Sequence, residues 1–367
     1  MNRRSFLQTT AAATGALGAA PLLAADKAKT VHDELAASMP GAKLSMLFKG
    51  KTASDFKTWE SAFREKLNSL LGDSAPPKTW TVAVESIAES DDHVRLAMLL
   101  KTSGGRSLPV YLLLPAGISQ KREAPGVLCV HGHGEFGNDA IVGRRELPGA
   151  PEHIDKLNYD YGLQFVRRGY VVVAPCMVPF GRRVDRKAYG GKDPCAVTFV
   201  RMQALGKLSI TENLRDLRWA LSFLQANNSV DPERLGCAGL SYGGRMTMMA
   251  TAIDRRIKVA SVSGALNLLQ ERMTLRHSCG SQMIPSLLNF GDYSEIGSLI
   301  APRPCVWETG SKDGLIVPKW DEIFRDRLRR AYTAAGVEKN LHFDRFEGGH
   351  KWSGRIAFPL FDKILKG

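Results

Sequence analysis

The spacing of apolar and polar positions divides the chain into a helical lead-in and a long alternating body. Phe56, Trp59, Phe63, Leu67, Leu70 and Leu71 recur every three to four residues after Ser54-Asp55, the period of an amphipathic helix, and Pro76-Pro77 closes it. The period changes at Trp80. Trp80 to Val84, Val94 to Leu100 and Val110 to Leu114 predict neighbouring antiparallel strands, with Gly104-Gly105 as a turn. Gly126 to Val130 and Tyr170 to Ala174 are continuous apolar runs, as in parallel strands covered on both faces. Between them, Tyr161 to Gly169 reads as a helix stopped by glycine. A helix from Ile210 to about Ala226 carries the stripe Leu214, Leu217, Leu221 and Leu224, and Asn227-Asn228 and Asp231-Pro232 end it. The run Arg234 to Gly239, a helix from about Tyr242 to Ile253 and a strand from Ile257 to Val262 follow. Pro304 to Trp307 and Leu341 to Arg345 read as the last strands, with helices at Asp321 to Ala335 and Ile356 to Leu365. Strand and helix in steady alternation predict an α/β fold, a mostly parallel central sheet with helices on both faces and an N-terminal helical layer.

Charge and composition narrow the partners. Of 367 residues, 44% are hydrophobic and 24% charged, which suits one large α/β domain. The net charge is +13, but the basic residues are scattered among acids, with no Lys/Arg run interleaved with aromatics. That pattern argues against a nucleic-acid partner. Asn2-Arg3-Arg4-Ser5-Phe6-Leu7, followed by a mild Ala/Gly-rich apolar stretch to Ala25, resembles a twin-arginine export signal. The stretch is too short and alanine-rich for stable membrane insertion. A periplasmic or secreted location is expected, with cleavage near Ala24 or Ala25. Cys129, Cys237 and Cys305 sit inside apolar strand runs and Cys176 just after one, where cysteine acts as a small core residue. No C-x-x-C pair points to structural zinc. Cys195 and Cys279 lie in loop-like segments, which leaves a disulfide between them open after export.

One segment carries the sharpest chemistry. Gly239-Leu-Ser241-Tyr-Gly243-Gly244 is a G-x-S-x-G between a short apolar strand and a helix, a nucleophile elbow. Glycines on either side of Ser241 remove the Cβ atoms that so tight a turn cannot hold. Serine needs a base within hydrogen-bond reach, and in this arrangement the acid and then the histidine follow it in the chain. Asp313 directly follows the strand Pro304 to Trp307 and is the expected acid, with an Asx turn beside Gly314 as its plain alternative and Glu308 and Asp292 as weaker candidates. His350, in the glycine-rich loop after the last strand, is the expected base. His342 lies within a strand run, and His277 has no preceding strand. His131-Gly-His133-Gly134 closes the strand Gly126 to Val130. The backbone N–H groups of Tyr242 and His133 are the expected oxyanion donors, with Gly132 as the neighbouring alternative. The His131 and His133 side chains could also suggest a metal, but no further ligands stand at suitable spacing, so neither metal nor cofactor is expected. Arg144, Arg145, Arg182 and Arg183 read as solvated or paired surface charges, with contact of one of them to an acidic substrate as the alternative.

The order HGHG, GYVVVAP, GLSYGG, APRP-x5-G-x2-D and EGGH resembles the dienelactone hydrolase-like and acetyl xylan esterase-like branch of the α/β-hydrolases, over roughly residues 80–367. The resemblance implies the α/β-hydrolase fold, a cofactor-independent serine esterase, and Ser241, Asp313 and His350 as triad. Dienelactone hydrolases resemble this chain with Cys, not Ser, as nucleophile, which shifts the expectation to ordinary carboxylic esters. The domain reading is a leader over 1–25, a helical layer over 26–79 and a catalytic domain over 80–367. An insertion at 266–299 is expected to form part of the pocket wall, where Met273, Met283, Phe290 and Tyr293 supply either apolar contacts or core. The expected substrate is a small-molecule or polysaccharide ester, with deacetylation of polysaccharide favoured. A glucuronoyl esterase and a prolyl-oligopeptidase-like peptidase are the enzyme alternatives, though only about 80 residues precede the hydrolase strands, too few for a propeller. A non-catalytic carbohydrate-binding homologue is the alternative of another class.

Overall fold

The structure is a computed structural model that describes residues 28–39, 42–118, 123–274 and 278–367. The expected export leader lies outside these residues. The chain forms two compact units, residues 1–40 and 41–367. In the first, the helix Val31–Ser38 opens with a capping box between Thr30 and Asp33.

The second unit is built on a nine-stranded sheet among its described residues. Its strands are β1 (Thr81–Glu89), β2 (His93–Lys101), β3 (Ser107–Pro115), β4 (Ala124–Val130), β5 (Val171–Pro175), β6 (Val230–Leu240), β7 (Ile257–Ser263), β8 (Cys305–Gly310) and β9 (Leu341–Phe346). Their spatial order is β1-β2-β3-β5-β4-β6-β7-β8-β9. The first three strands and β5 pair antiparallel, and β5 through β9 pair parallel. The continuous apolar runs have the expected consequence: every residue of β4 and of β5 is buried.

Alternation along these strands sorts their side chains into two cores. Leu128 and Val130 of β4 and Val171 and Val173 of β5 face the helices Ser209–Gln225 and Tyr242–Ile253. Val127, Cys129, Val172 and Ala174 face Tyr161 and Phe165 on one helix and Phe358 and Phe361 on the C-terminal one. Helix termini fall within a few residues of the sequence pattern. The helix expected from Asp321 starts at Pro318, where proline suits the first turn.

Two segments depart from the sequence reading. β6 begins at Val230 and includes Asp231-Pro232, which had read as a helix end. Its pairing with β4 jumps from Ala124–Val230 to Gly126–Leu235, and this irregularity accommodates the proline that has no N–H to give to a ladder. Cys195 is not in a loop but in the helix Pro194–Ala204. Asp193 caps that helix by accepting from the N–H groups of Cys195 and Ala196, with Pro194 at its first position. Its apolar residues are not confined to one face, since Val200 is exposed, so no clear period marks it.

The amphipathic helix runs from Ala53 to Leu71, capped by a Thr52–Asp55 box. Phe63 and Leu67 are fully buried, and Trp59 stacks on Phe63 with ring centroids 5.3 Å apart. This face belongs to the main core, so Phe63→Ala is expected to cost about 3–5 kcal/mol in urea unfolding, whereas Lys57→Ala on the exposed face stays within about 0.5 kcal/mol.

Candidate active site

β6 ends at Leu240, and the helix Tyr242–Ile253 begins two residues later. Ser241 between them has φ 65° and ψ −125°, a conformation that is strained for a residue with a Cβ. The glycines around it explain how the chain can turn there. A Cβ on Gly243 would lie 1.9 Å from the Val130 carbonyl oxygen, one on Gly239 2.5 Å from the Gly243 oxygen, and one on Gly244 2.3 Å from the Ser263 oxygen. Strand, turn and helix therefore cross in backbone contact. The Ser241 N–H donates to the Ser263 carbonyl at 2.8 Å, which ties the elbow to β7.

The loop after β4 passes beside the elbow. A Cβ on Gly132 would lie 3.1 Å from the Ser241 Cβ. The Gly132 N–H donates to the Tyr159 hydroxyl and is thereby occupied. Among the described residues, the backbone N–H groups of His133 and Tyr242 donate to no partner. The His133 ring is held between Phe180 and Tyr242, with centroids 5.1 Å and 5.0 Å away. The Tyr242 hydroxyl donates to the Ser281 carbonyl and accepts from the Asn213 amide, which anchors the residue after Ser241.

His131 does something different from its neighbour. It is fully buried, with Nδ1 2.8 Å from the Gly132 carbonyl and Nε2 accepting from the Met177 N–H at 2.8 Å. These bonds require the neutral ring with its proton on Nδ1. Burial lowers its pKa to about 4.

The structure brings Asp313 and His350 together. Asp313 Oδ2 lies 2.8 Å from His350 Nδ1, while Oδ1 accepts from the Leu315 N–H at 2.9 Å. The carboxylate thus makes both an Asx-type turn and the histidine contact. Its side chain is only 1% exposed, so little water competes for that contact. A Cβ on Gly264, next to the Ser263 that holds Ser241, would lie 2.7 Å from His350 Cε1. His350 Nε2 is buried and has no hydrogen-bond partner among the described residues.

The weaker acid candidates are engaged elsewhere. Glu308 accepts from the N–H groups of Ser353 and Gly354 and so braces the loop that follows His350; burial raises its pKa to about 7. Asp292 caps the helix Tyr293–Ser298 and accepts from the Leu269 and Gln270 N–H groups. His342 is in β9, half-buried, and His277 lies outside the described residues. Arg144, Arg145, Arg182 and Arg183 all pair with acids, Arg183 with the buried Asp216.

Ser241 opens on a pocket of about 180 Å³ shared with His133, Arg245, Asn267, Arg272 and Gln282. No sequence argument had pointed to Arg245, Asn267, Arg272 or Gln282. Arg245 is 1% exposed, lies over the Tyr293 ring at 3.6 Å and donates to the Asn267 carbonyl at 2.9 Å. Burial lowers its pKa to about 10. A lone arginine just before the uncharged stretch Met246 to Ala252 is the signal that could have found it. Met273, Met283 and Phe290 pack against the main core instead of lining this pocket. Cys195 and Cys279 meet at its edge. Both are free thiols, and Cys279 is the more acidic because it accepts a hydrogen bond from Cys195 and lies beside His133.

A candidate acetyl xylan esterase from Bacteroides fragilis superimposes with TM-score 0.74 at 16% identity, over 94% of this chain and 97% of that one. The chain has the α/β-hydrolase fold. A glucuronoyl esterase from Teredinibacter turnerae matches this chain with TM-score 0.59 at 17% identity, over 90% of each chain. The hydrolase candidate YtaP of Bacillus subtilis is 29% identical over 294 residues, covering 78% of this chain and 92% of YtaP. The profile of the prolyl oligopeptidase family matches residues 202–271, the segment that carries β6, the elbow and β7. No described helix is long and apolar enough to cross a membrane.

The pKa of His131 makes a pH prediction. Its folded value lies below the ordinary 6.5, so the neutral ring supports the fold above pH 6.5, and that support is lost as pH falls towards 4. The expected loss is about 3 kcal/mol. Urea unfolding at pH values spanning this window should show a shallower acid slope for His131→Gln than for wild type.

Proposed function

We propose that this α/β-hydrolase is a serine carboxylic ester hydrolase that works through an acyl-enzyme. The observation that carries the reading is a serine held at positive φ on a backbone-tight elbow, with the Asp313–His350 pair at 2.8 Å packed beside the same turn. Ser241 would attack the ester carbonyl while His350 Nε2 takes its proton, and Asp313 would hold the ring in the tautomer that leaves Nε2 free. A partner-free Nε2 suits that role, since such hydrogen bonds are often long without substrate and tighten with it. The N–H groups of Tyr242 and His133 would receive the oxyanion, as the occupied Gly132 N–H cannot. His350 then returns its proton to the leaving alcohol, and water releases the acid.

The pocket volume speaks for a short acyl group. About 180 Å³ lies well under the several hundred Å³ usual for drug-sized ligands, and acetyl fits such a space. Arg245, Asn267, Arg272 and Gln282 offer hydrogen bonds to an oxygen-rich partner, which favours an acetylated sugar. The same polar wall supports a second reading, an ester whose acyl part is a uronic acid, as the name of the glucuronoyl esterase neighbour suggests. The paired-arginine leader supports export to the periplasm or beyond, where polysaccharide esters would be met.

The test is hydrolysis of p-nitrophenyl acetate by the purified chain, with a fluorophosphonate label mapped by mass spectrometry. Ser241→Ala is expected to lower kcat roughly a million-fold and Asp313→Asn roughly ten-thousand-fold, and the label should fall on Ser241. Release of acetate from acetylated xylan, against turnover of methyl glucuronate or a prolyl peptide, separates the substrate readings. A folded wild type that neither turns over nor labels would overturn the esterase reading in favour of a binding protein.

A further inference from the structure

Beside Ser241 the fold assembles three soft donors that the proposed hydrolysis does not use. We infer that His133, Cys195 and Cys279 form a binding site for a thiophilic divalent cation of the zinc class, with three protein ligands and a fourth position open to the pocket. The His133 Nε2 and the Sγ atoms of Cys195 and Cys279 all lie within 4.8 Å of one another, and Nε2 is 2.9 Å from the Cys279 Sγ. Bonds of about 2.3 Å to sulfur and 2.0–2.1 Å to nitrogen in a tetrahedral site set such donors about 3.5–3.8 Å apart. Small side-chain rotations therefore suffice to enclose an ion.

The donors come from three separately held segments. Cys195 is in the first turn of the helix Pro194–Ala204, which Asp193 caps. Cys279 precedes the short turn Gly280–Gln282, and that turn is pressed on the same helix: a Cβ on Gly280 would lie 2.2 Å from the Phe199 ring. His133 is in the loop after β4, its ring gripped by Phe180 and Tyr242. Sites pre-positioned in this way lose little order when an ion arrives. Two thiolates and a neutral imidazole suit zinc and cobalt(II), not the oxygen-seeking magnesium or calcium. Each thiol passes its proton to water as its sulfur–metal bond forms, so two thiolates neutralise the dication. Cys195 is buried, whereas His133 and Cys279 line the Ser241 pocket, so the side without a protein ligand faces that pocket. The inference needs no esterase activity to stand.

Cobalt(II) titration of the full chain, reduced and freed of reductant under anaerobic conditions, reads the site directly. One equivalent should produce a thiolate-to-metal charge-transfer band and intense visible bands of tetrahedral cobalt, which zinc then abolishes; magnesium should not compete. X-ray absorption of the zinc form should report two sulfur ligands. Cys195→Ser, Cys279→Ser and His133→Ala, each checked for folding by circular dichroism and melting, should weaken binding by at least the roughly 100-fold that even outer-shell partners contribute. Failure of the fully reduced protein to take up either metal would overturn the site, and so would binding that survives Cys279→Ser in a folded variant.

Discussion

The backbone crossing at the elbow is the constraint on which the rest of this molecule depends. Gly239, Gly243 and Gly244 let β6, the following helix and the Val130 and Ser263 carbonyls approach to distances that no Cβ permits. That crossing has a cost, because Ser241 is forced to φ 65°. The two buried cores on either face of the sheet offset it, and the Ser241 N–H is tied to Ser263. A hydroxyl placed this way stands at the carboxyl edge of the parallel strands, where loops from β4, β7, β8 and β9 can all reach it.

Each loop brings a different kind of group to that edge. From β4 come a buried neutral histidine, which pins the backbone, and an accessible one two residues later. From β8 comes Asp313, and from the loop after β9 comes His350, the latter braced by Glu308 through Ser353 and Gly354. Glu308 thus supports the loop from a buried position that raises its pKa, and never touches the ring. The segment between β7 and β8 contributes polar wall residues and Cys279, with Arg245 rising from below on the elbow helix. The result is a small, oxygen-friendly pocket in an otherwise apolar body.

The two histidines of the His-Gly-His-Gly segment show how far burial separates similar residues. His131 has both ring nitrogens bound to backbone groups and carries no free ligand atom. His133 has its Nε2 on a thiol instead. Their spacing in the chain treats them as a pair. Their environments assign one to structure and the other to the pocket.

The sheet, the helices and the elbow were legible because they rest on local chemistry. Continuous apolar runs mark buried parallel strands, a 3.6-residue period marks amphipathic helices, and glycines around Ser241 mark a turn too tight for side chains. Chain order and strand ends also nominated Asp313 and His350, since both follow strands in loops that must gather at one edge. What the sequence could not determine were groups that meet only through tertiary packing. Arg245, Asn267 and Gln282 reach one pocket from separate segments, and no spacing predicts that. Cys195, 84 positions before Cys279, meets it and His133 because the helix Pro194–Ala204 and the turn Gly280–Gln282 pack together. Local periodicity fixes which face of an element is buried; only the packing of distant elements decides which polar atoms are left facing one another.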